Sequence, residues 1–175
     1  MNSSLRMIVA GGGTGGHFFP AQAICEALRN KGVNVKYVGS RYGIESNYFN
    51  NNSAEATLLN IRGIQRHFNL DAWVKNCLFP WKFMQSYFQS RKIINEFKPH
   101  VVIGTGGYSS GLPLLVAIHQ GIKTIIHEQN SFPGITTRQL GTKVNKVCIA
   151  FENSKDYLKK KTLFSQGIPS GKKFV

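Results

Sequence analysis

Glycine-rich segments that directly follow predicted strands are the residues best suited to chemistry in this sequence. The first, Gly11–Gly16 with His17 after it, lies between the apolar run 7–10 and a segment of helical length. Glycines leave backbone N–H groups open to an anion, and the N-terminus of the following helix adds a partial positive charge. The spacing G-x-G-x-x-G in this context predicts a loop that binds phosphate groups.

A second glycine group repeats the Gly-Thr-Gly-Gly of residues 13–16 at residues 104–107, again directly after a predicted strand. It continues as Tyr108-Ser109-Ser110-Gly111 into an apolar segment. In a doubly wound sheet, ligands bind outside the carboxyl ends of the strands, where the order of connections reverses. Two such loops at this edge predict two bound phosphates, or one diphosphate approached from both sides.

A third group, His127-Glu128-Gln129-Asn130, consists of four polar residues at the end of another predicted strand. This position predicts that the group lies at the same edge of the sheet as the glycine loops. It offers a candidate base, a carboxylate and two amide groups that recognise hydroxyl or acetamido groups. His17 is a further candidate base, because an imidazole at a helix start can accept a proton near neutral pH.

The elements that position these groups are short β-branched runs alternating with segments of helical length. The pattern predicts an α/β fold, a Rossmann-like, doubly wound parallel sheet of about six or seven strands with helices on both faces. The first helix is predicted to begin near Pro20 and to end before Gly32. The predicted strands are residues 7–10, 34–38, 57–61, 101–103, 123–127 and 146–150.

Residues 66–97 depart from this rhythm, because aromatic residues are interleaved with lysines and arginines, and Pro80 is predicted to break the segment in two. Aromatic side chains favour the lipid headgroup region, and each nearby cation adds about 1 kcal/mol of attraction to an anionic leaflet. The alternative is that the aromatic residues belong to the core and the cations to a solvated face. The membrane interpretation predicts contact with an anionic surface through Trp73, Lys75, Phe79, Trp81 and Lys82.

The composition limits which partners, disulfides and metals can be expected. With 22 Lys and Arg against 8 Asp and Glu, the net charge of +14 favours an anionic partner, namely a phosphate ligand, a membrane surface or nucleic acid. No nucleic-acid motif is present, so nucleic acid is not expected as a partner. The 3 cysteines lie far apart and the 5 histidines lack metal-ligand spacing, so a disulfide framework, a metal and a cofactor are not expected.

Membrane-spanning and targeting segments are also not expected. The N-terminus lacks the long apolar region of a signal peptide, and the apolar run 112–118 falls short of the roughly 20 residues that a span requires. The cysteine pattern fits a reducing cytoplasm.

One alternative for the first loop is a dinucleotide site. Such a site would take an acidic residue about 20 positions further on, and the second predicted strand ends in Gly39-Ser40-Arg41 instead. Arg41 offers a contact for a 2′-phosphate, so an NADPH-binding Rossmann protein remains open.

The three motifs, in this order and spacing, resemble the MurG family, the bacterial glycosyltransferases of peptidoglycan synthesis. The resemblance runs from about residue 6 to about residue 150. It implies an inverting hexosyltransferase of the two-domain GT-B arrangement. The implied reaction moves N-acetylglucosamine from UDP-GlcNAc to the 4-hydroxyl of a muramoyl-peptide on undecaprenyl diphosphate (lipid I), giving lipid II. The implied location is peripheral, on the cytoplasmic face of the bacterial inner membrane.

The resemblance implies the donor contacts, and the chemistry of the loops described above gives the candidates for the base and for the acceptor diphosphate site. The catalytic base would be His17, with Glu128 as the competitor. The donor would contact Thr14, Gly15, Gly16 and Asn130. The diphosphate of the acceptor would bind Gly13, Gly104, Gly106, Gly107, Tyr108 and Ser109.

The length of the chain leads to an expectation about domains. Residues 1–165 are expected to form the N-terminal acceptor-binding domain, and residues 166–175 the start of a linker or a truncated end. A donor-binding domain is then missing, and the chain alone is expected to be inactive. The alternative from a related class is one subunit of a split UDP-GlcNAc transferase that acts on another polyprenyl-linked acceptor.

Overall fold

The computed structural model describes residues 4–49, 55–61, 79–158 and 163–165. A parallel sheet of 7 strands, in the order β3-β2-β1-β4-β5-β6-β7, forms its centre. The strands are β1 (Arg6–Ala10), β2 (Asn34–Ser40), β3 (Ala56–Leu59), β4 (Val101–Gly104), β5 (Lys123–Glu128), β6 (Lys146–Ile149) and β7 (Leu163–Ser165). The predicted α/β class and all six predicted strands are confirmed, with bounds that differ by two residues at most. The short edge strand β7 is an addition to the predicted set.

Helices cover both faces of the sheet. They are α1 (Gly15–Arg29), α2 (Phe79–Phe97), α3 (Tyr108–His119) and α4 (Ile135–Leu140), with 3-10 turns at Ile44–Asn47 and Glu152–Tyr157. Val102 is buried in the core beneath α2 and α3, while its neighbour Ile103 is buried in the core beneath α1. Successive residues of a strand point to opposite faces, so the continuous apolar runs in the sequence reflect a sheet that is covered on both sides.

Pro20 takes a position that differs from the predicted one, whereas Pro80 lies where a helix begins. Helix α1 begins at Gly15, five residues before the predicted start at Pro20, and Pro20 lies inside it. The ring of Pro20 leaves the carbonyl of Gly16 without its helical donor, and the exposure of Gly16 lets water replace it. Helix α2 begins at Phe79, so Pro80 lies in the first turn, where no helical acceptor is lost. Among the described residues, no helix is long and apolar enough to cross a membrane.

The order of connections reverses between the central strands β1 and β4. From β1 the chain passes through α1 on one face to β2, whereas from β4 it passes through α3 on the other face to β5. The loops that leave β1 and β4 therefore diverge and open a crevice at the carboxyl edge of the sheet. A hydrogen bond of 2.9 Å from the Thr105 N–H to the Ala10 carbonyl joins the two loops at its base.

Candidate active site at the carboxyl edge of the sheet

The three predicted segments meet in this crevice, at the carbonyl of Thr105. His17, the last residue of the first glycine motif, has its Nδ1 3.0 Å from this oxygen. Gln129 donates to the same oxygen through Nε2 at 2.7 Å, and its amide lies in close contact with the His17 ring. The Thr105 hydroxyl donates to the His17 carbonyl at 2.8 Å. The prediction that the three segments share one edge is confirmed.

The orientation of the half-buried His17 ring follows from these contacts. A carbonyl oxygen only accepts, so in the tautomer that donates from Nδ1 to Thr105 the lone pair lies on Nε2. Gly106 packs against the ring, and a Cβ there would lie 2.5 Å from Nδ1. The left-handed φ of +102° at Gly106 also favours glycine. The contacts with Thr105 and Gly106 thus fix the position of the ring between the two glycine loops.

A buried carboxylate, that of Glu45, holds the first glycine loop in place through hydrogen bonds. It lies in the 3-10 turn after β2 and is fully buried. Its oxygens accept the Gly13 N–H at 2.9 and 3.0 Å and the Ser40 N–H at 2.7 Å. Because a Cβ at Gly12 would lie 2.1 Å from its Oε1, the loop approaches this carboxylate as closely as only glycine allows. The sequence interpretation missed Glu45, although Gly39 and Gly43 beside it were a signal of close packing.

The buried charge changes what the first loop can bind. In a dinucleotide site, the N–H groups of such a loop face a pyrophosphate. Here the Gly13 N–H is already occupied by Glu45, and the carboxylate repels an anion placed at the same point. These contacts argue against the NADPH interpretation and against Gly13 as a direct phosphate ligand.

The rest of the first loop is accessible. Thr14 is the exposed N-cap residue of α1, and its carbonyl accepts the Phe18 N–H at 3.0 Å. Gly15 is half-buried beside Phe19. Gly16 is exposed, and a Cβ there would meet no atom within 4 Å. Residues 14–16 therefore present open backbone to a ligand in the crevice.

The second glycine loop contains both residues buried in the core and residues accessible to a ligand. Gly104 is buried, and a Cβ there would lie 2.4 Å from Leu114, so its role is to let α3 pack on the sheet. Gly107 is the N-cap residue of the 12-residue helix α3, with a φ of +75°, and exposed Tyr108 follows it. Ser109 is buried, and its hydroxyl has no hydrogen-bond partner among the described residues. The N-terminus of α3 is therefore the candidate anion-binding end of the crevice.

Glu128 has its carboxylate committed to its own loop. The side chain is buried, Oε1 accepts the backbone and side-chain N–H groups of Asn130 at 3.0 and 2.9 Å, and Oε2 accepts the Gly134 N–H at 3.0 Å. Asn130 itself is exposed. The geometry makes Glu128 the group that orients the Asn130 amide at the edge of the crevice.

His127 is buried on β5, and neither ring nitrogen has a hydrogen-bond partner within the described part of the chain. Burial lowers the pKa of its imidazole below the usual value, so the ring is neutral near pH 7. In the described residues, no three or more His, Cys, Asp and Glu side chains are grouped as a metal ion would require.

The predicted membrane contacts are only partly within the described residues. Trp73 and Lys75 lie outside them, and Phe79 is the first residue of α2. Trp81 is 74% exposed, and Met84 and Phe88 on the same helix are also exposed. The Lys82 ammonium lies 5.9 Å from the centre of the Tyr42 ring. The exposed residues 81, 84 and 88 follow helical spacing and give α2 an apolar outer face.

Comparisons with known proteins identify relatives of this chain. Residues 7–149 match the family described as glycosyltransferase family 28 N-terminal domain. Proteins of Christiangramia forsetii and Flavobacterium psychrophilum are 45% and 42% identical over 89% and 94% of this chain. Both are named UDP-N-acetylglucosamine--N-acetylmuramyl-(pentapeptide) pyrophosphoryl-undecaprenol N-acetylglucosamine transferase. The chain spans 42% and 44% of their lengths.

A solved structure gives the same result. The crystal structure of Acinetobacter baumannii MurG is similar over 97% of this chain and 47% of its own length, with a TM-score of 0.76 and 28% sequence identity. These matches confirm the resemblance that the three motifs predicted and the half of a GT-B fold that it implied. The chain therefore belongs to glycosyltransferase family 28, and the part of that family it represents is the N-terminal domain.

Proposed function

We propose that this chain is the acceptor-binding half of a transferase that moves N-acetylglucosamine from UDP-GlcNAc to a muramyl-pentapeptide carried on undecaprenyl diphosphate. The names of the relatives supply the reaction, and the chain corresponds to less than half of their length. The observation that carries the proposal is His17, whose ring is fixed between the two glycine loops by the Thr105 carbonyl and by Gly106.

The proposed reaction is a displacement at the anomeric carbon of the donor sugar. His17 Nε2 takes the proton of the acceptor hydroxyl, and the hydroxyl oxygen forms the new bond to the anomeric carbon. The bond from that carbon to the diphosphate oxygen breaks, and UDP leaves with the electron pair. The Thr105 carbonyl then stabilises the imidazolium through the Nδ1 proton, as a fixed acceptor does in a general-base pair.

The two loops take different substrates in this proposal. The diphosphate of the acceptor binds at Gly106, Gly107 and the N-terminus of α3, because the first turn of this helix contains no acidic residue that would repel it. The donor contacts the open backbone of residues 14–16 and the Asn130 amide, which Glu128 orients. Glu128 is accordingly a positioning residue in this proposal, and the base is His17.

We also propose that the outer face of α2 contacts the membrane that carries the acceptor, so that the protein is peripheral on the cytoplasmic face of the bacterial inner membrane. Trp81 is the most exposed residue of this face. Trp81→Ser should weaken binding to vesicles containing anionic lipid roughly tenfold, and Tyr157→Ser, at an exposed site outside α2, should not. Equal binding of anionic and neutral vesicles at low salt would remove the electrostatic part of this proposal.

The role of His17 is tested in a chimera. Residues 1–165 of this chain are joined to the portion of the Christiangramia forsetii relative that this chain does not match, and UDP release is measured with a lipid-linked acceptor. His17→Ala should lower turnover by about 100-fold or more with little change in the KM for UDP-GlcNAc. His119→Ala is the control, because that ring bonds Tyr87 on the outer side of α3. Unchanged turnover in His17→Ala would remove His17 as the base.

A further inference from the structure

An apolar groove of about 220 Å³ opens beside the second glycine loop. Its walls come from Ile61 after β3 and from three helices. The apolar helical residues are Phe83 from α2, Leu112 and Leu115 from α3, and Ile135 and Leu140 from α4. Among the described residues that line the groove, the polar side chains are those of Tyr108, Thr136 and Gln139. A cleft that is apolar on three sides favours a hydrocarbon ligand over a sugar or a peptide.

The groove is joined directly to the proposed diphosphate site. Tyr108 lines the groove and is also the first residue of α3, immediately after Gly107. Thr136, on the opposite wall, donates from its hydroxyl to the Gly107 carbonyl at 3.0 Å. A diphosphate at the N-terminus of α3 would therefore lie at the mouth of the groove. An organic group attached to this diphosphate could then enter the groove.

We propose that this groove binds the isoprene units of the acceptor that are attached directly to its diphosphate, an inference that rests on the function proposed above. A cavity of about 150 Å³ accommodates benzene, with its six carbons. By the same ratio, the groove takes about nine carbons, which is slightly less than two isoprene units. The remainder of the lipid leaves past Ile135 and Tyr108 at the exposed rim.

The proposal makes affinity depend on chain length in a specific way. Each isoprene unit that enters the groove removes apolar surface from water, and units beyond the groove add little. The probes are methyl diphosphate, geranyl diphosphate with two isoprene units, and farnesyl diphosphate with three. Calorimetry on the 175-residue chain should give at least tenfold tighter binding for the geranyl than for the methyl compound. The farnesyl compound should gain less than about threefold more.

A variant at Gly111 tests the location. Within 4 Å, a Cβ on Gly111 would meet two atoms of Thr136, at 3.6 and 3.7 Å, so a side chain fits there. Because Gly111 lines the groove, we expect a leucine at this position to occupy part of it. Gly111→Leu should abolish the gain from the geranyl group and leave methyl diphosphate binding unchanged. Phe88→Ala, which removes an exposed apolar group from another face of α2, should change neither. Circular dichroism melting checks that both variants fold.

A second measurement does not depend on a variant. A geranyl diphosphate carrying a diazirine at its far end should label peptides that contain Phe83 or Leu115, as detected by mass spectrometry.

The outcomes separate the two proposals. If methyl diphosphate binds and the geranyl group adds nothing, or if the gain persists in a folded Gly111→Leu, the groove proposal is overturned and the proposed function stands. If none of the three diphosphates binds, the acceptor site of the proposed function is overturned as well.

Discussion

Replacement of Glu45 should destabilise the fold by an amount that the structure allows us to work out. Glu45→Ala leaves the buried Ser40 N–H, now 2.7 Å from the carboxylate, without an acceptor. An unpaired buried donor costs about 2 kcal/mol. The Gly13 N–H is at the exposed surface and can bond water instead, so its loss adds about 1 kcal/mol. We therefore expect the free energy of unfolding to fall by about 3 kcal/mol. Removing the carboxylate also removes the free-energy cost of burying it, which makes the fall smaller.

Glu45→Gln refines the expectation. The amide oxygen keeps the bond to Ser40, while the new NH₂ group faces the Gly13 N–H, so about half of the loss should remain. Urea unfolding of the three proteins measures the series, with an unchanged slope in denaturant showing that the transition is the same. Glu26→Ala, at an exposed position of α1, is the control. A loss below about 0.5 kcal/mol for Glu45→Ala, or a larger loss for the glutamine than for the alanine variant, would refute the reasoning.

Three further predictions concern the same core and loops. Gly12→Ala should lower the free energy of unfolding by about 2 kcal/mol or more, because the φ of Gly12 is +146° and the new Cβ meets Glu45. Gly16→Ala should leave the free energy of unfolding unchanged and weaken UDP-GlcNAc binding in the chimera. The free energy of unfolding should fall as pH is lowered from about 7 to 5, because His127 binds a proton in the unfolded chain at its ordinary pKa, whereas burial lowers the pKa of the folded ring. His127→Gln should flatten this dependence on pH, and an equal slope in both proteins would contradict the assignment. Burial raises the pKa of Cys25 to about 12, so iodoacetamide at pH 8 should alkylate it only on unfolding, and mass spectrometry showing rapid alkylation of the folded protein would contradict its burial.

Local patterns were sufficient to predict the sheet and the edge that carries the site. The runs at β1, β4 and β5 are apolar and end in glycine or polar residues, so strand positions and the location of the loops follow from the sequence alone. The edge strand β7 was missed because its 3 residues are too few to show any periodicity. Helix α1 was predicted to start too late because Pro20 is usual in a first turn.

The contacts that build the site depend on pairs of residues far apart in sequence. Glu45 reads as a charged residue of a polar turn, and only the fold brings Gly13 within 3.0 Å of it. Thr105 reads as one member of a glycine repeat, yet its carbonyl and hydroxyl hold His17 from 88 positions away. Glu128 has the residue type of a base, and its commitment to Asn130 and Gly134 becomes visible only in the geometry of the loop.

The pairing of β1 with both β2 and β4 also bears on how the chain folds. Pairing β1 with β2 closes a loop of about 28 residues, at an entropic cost of about 3 kcal/mol, whereas pairing β1 with β4 joins positions about 94 residues apart, at about 4 kcal/mol. The crevice exists only after this second, slower closure, because its two loops leave β1 and β4. A ligand that occupies the crevice binds only molecules that have completed the closure and so shifts the population toward them by mass action. The substrate would thereby act as a folding ligand for the centre of the sheet.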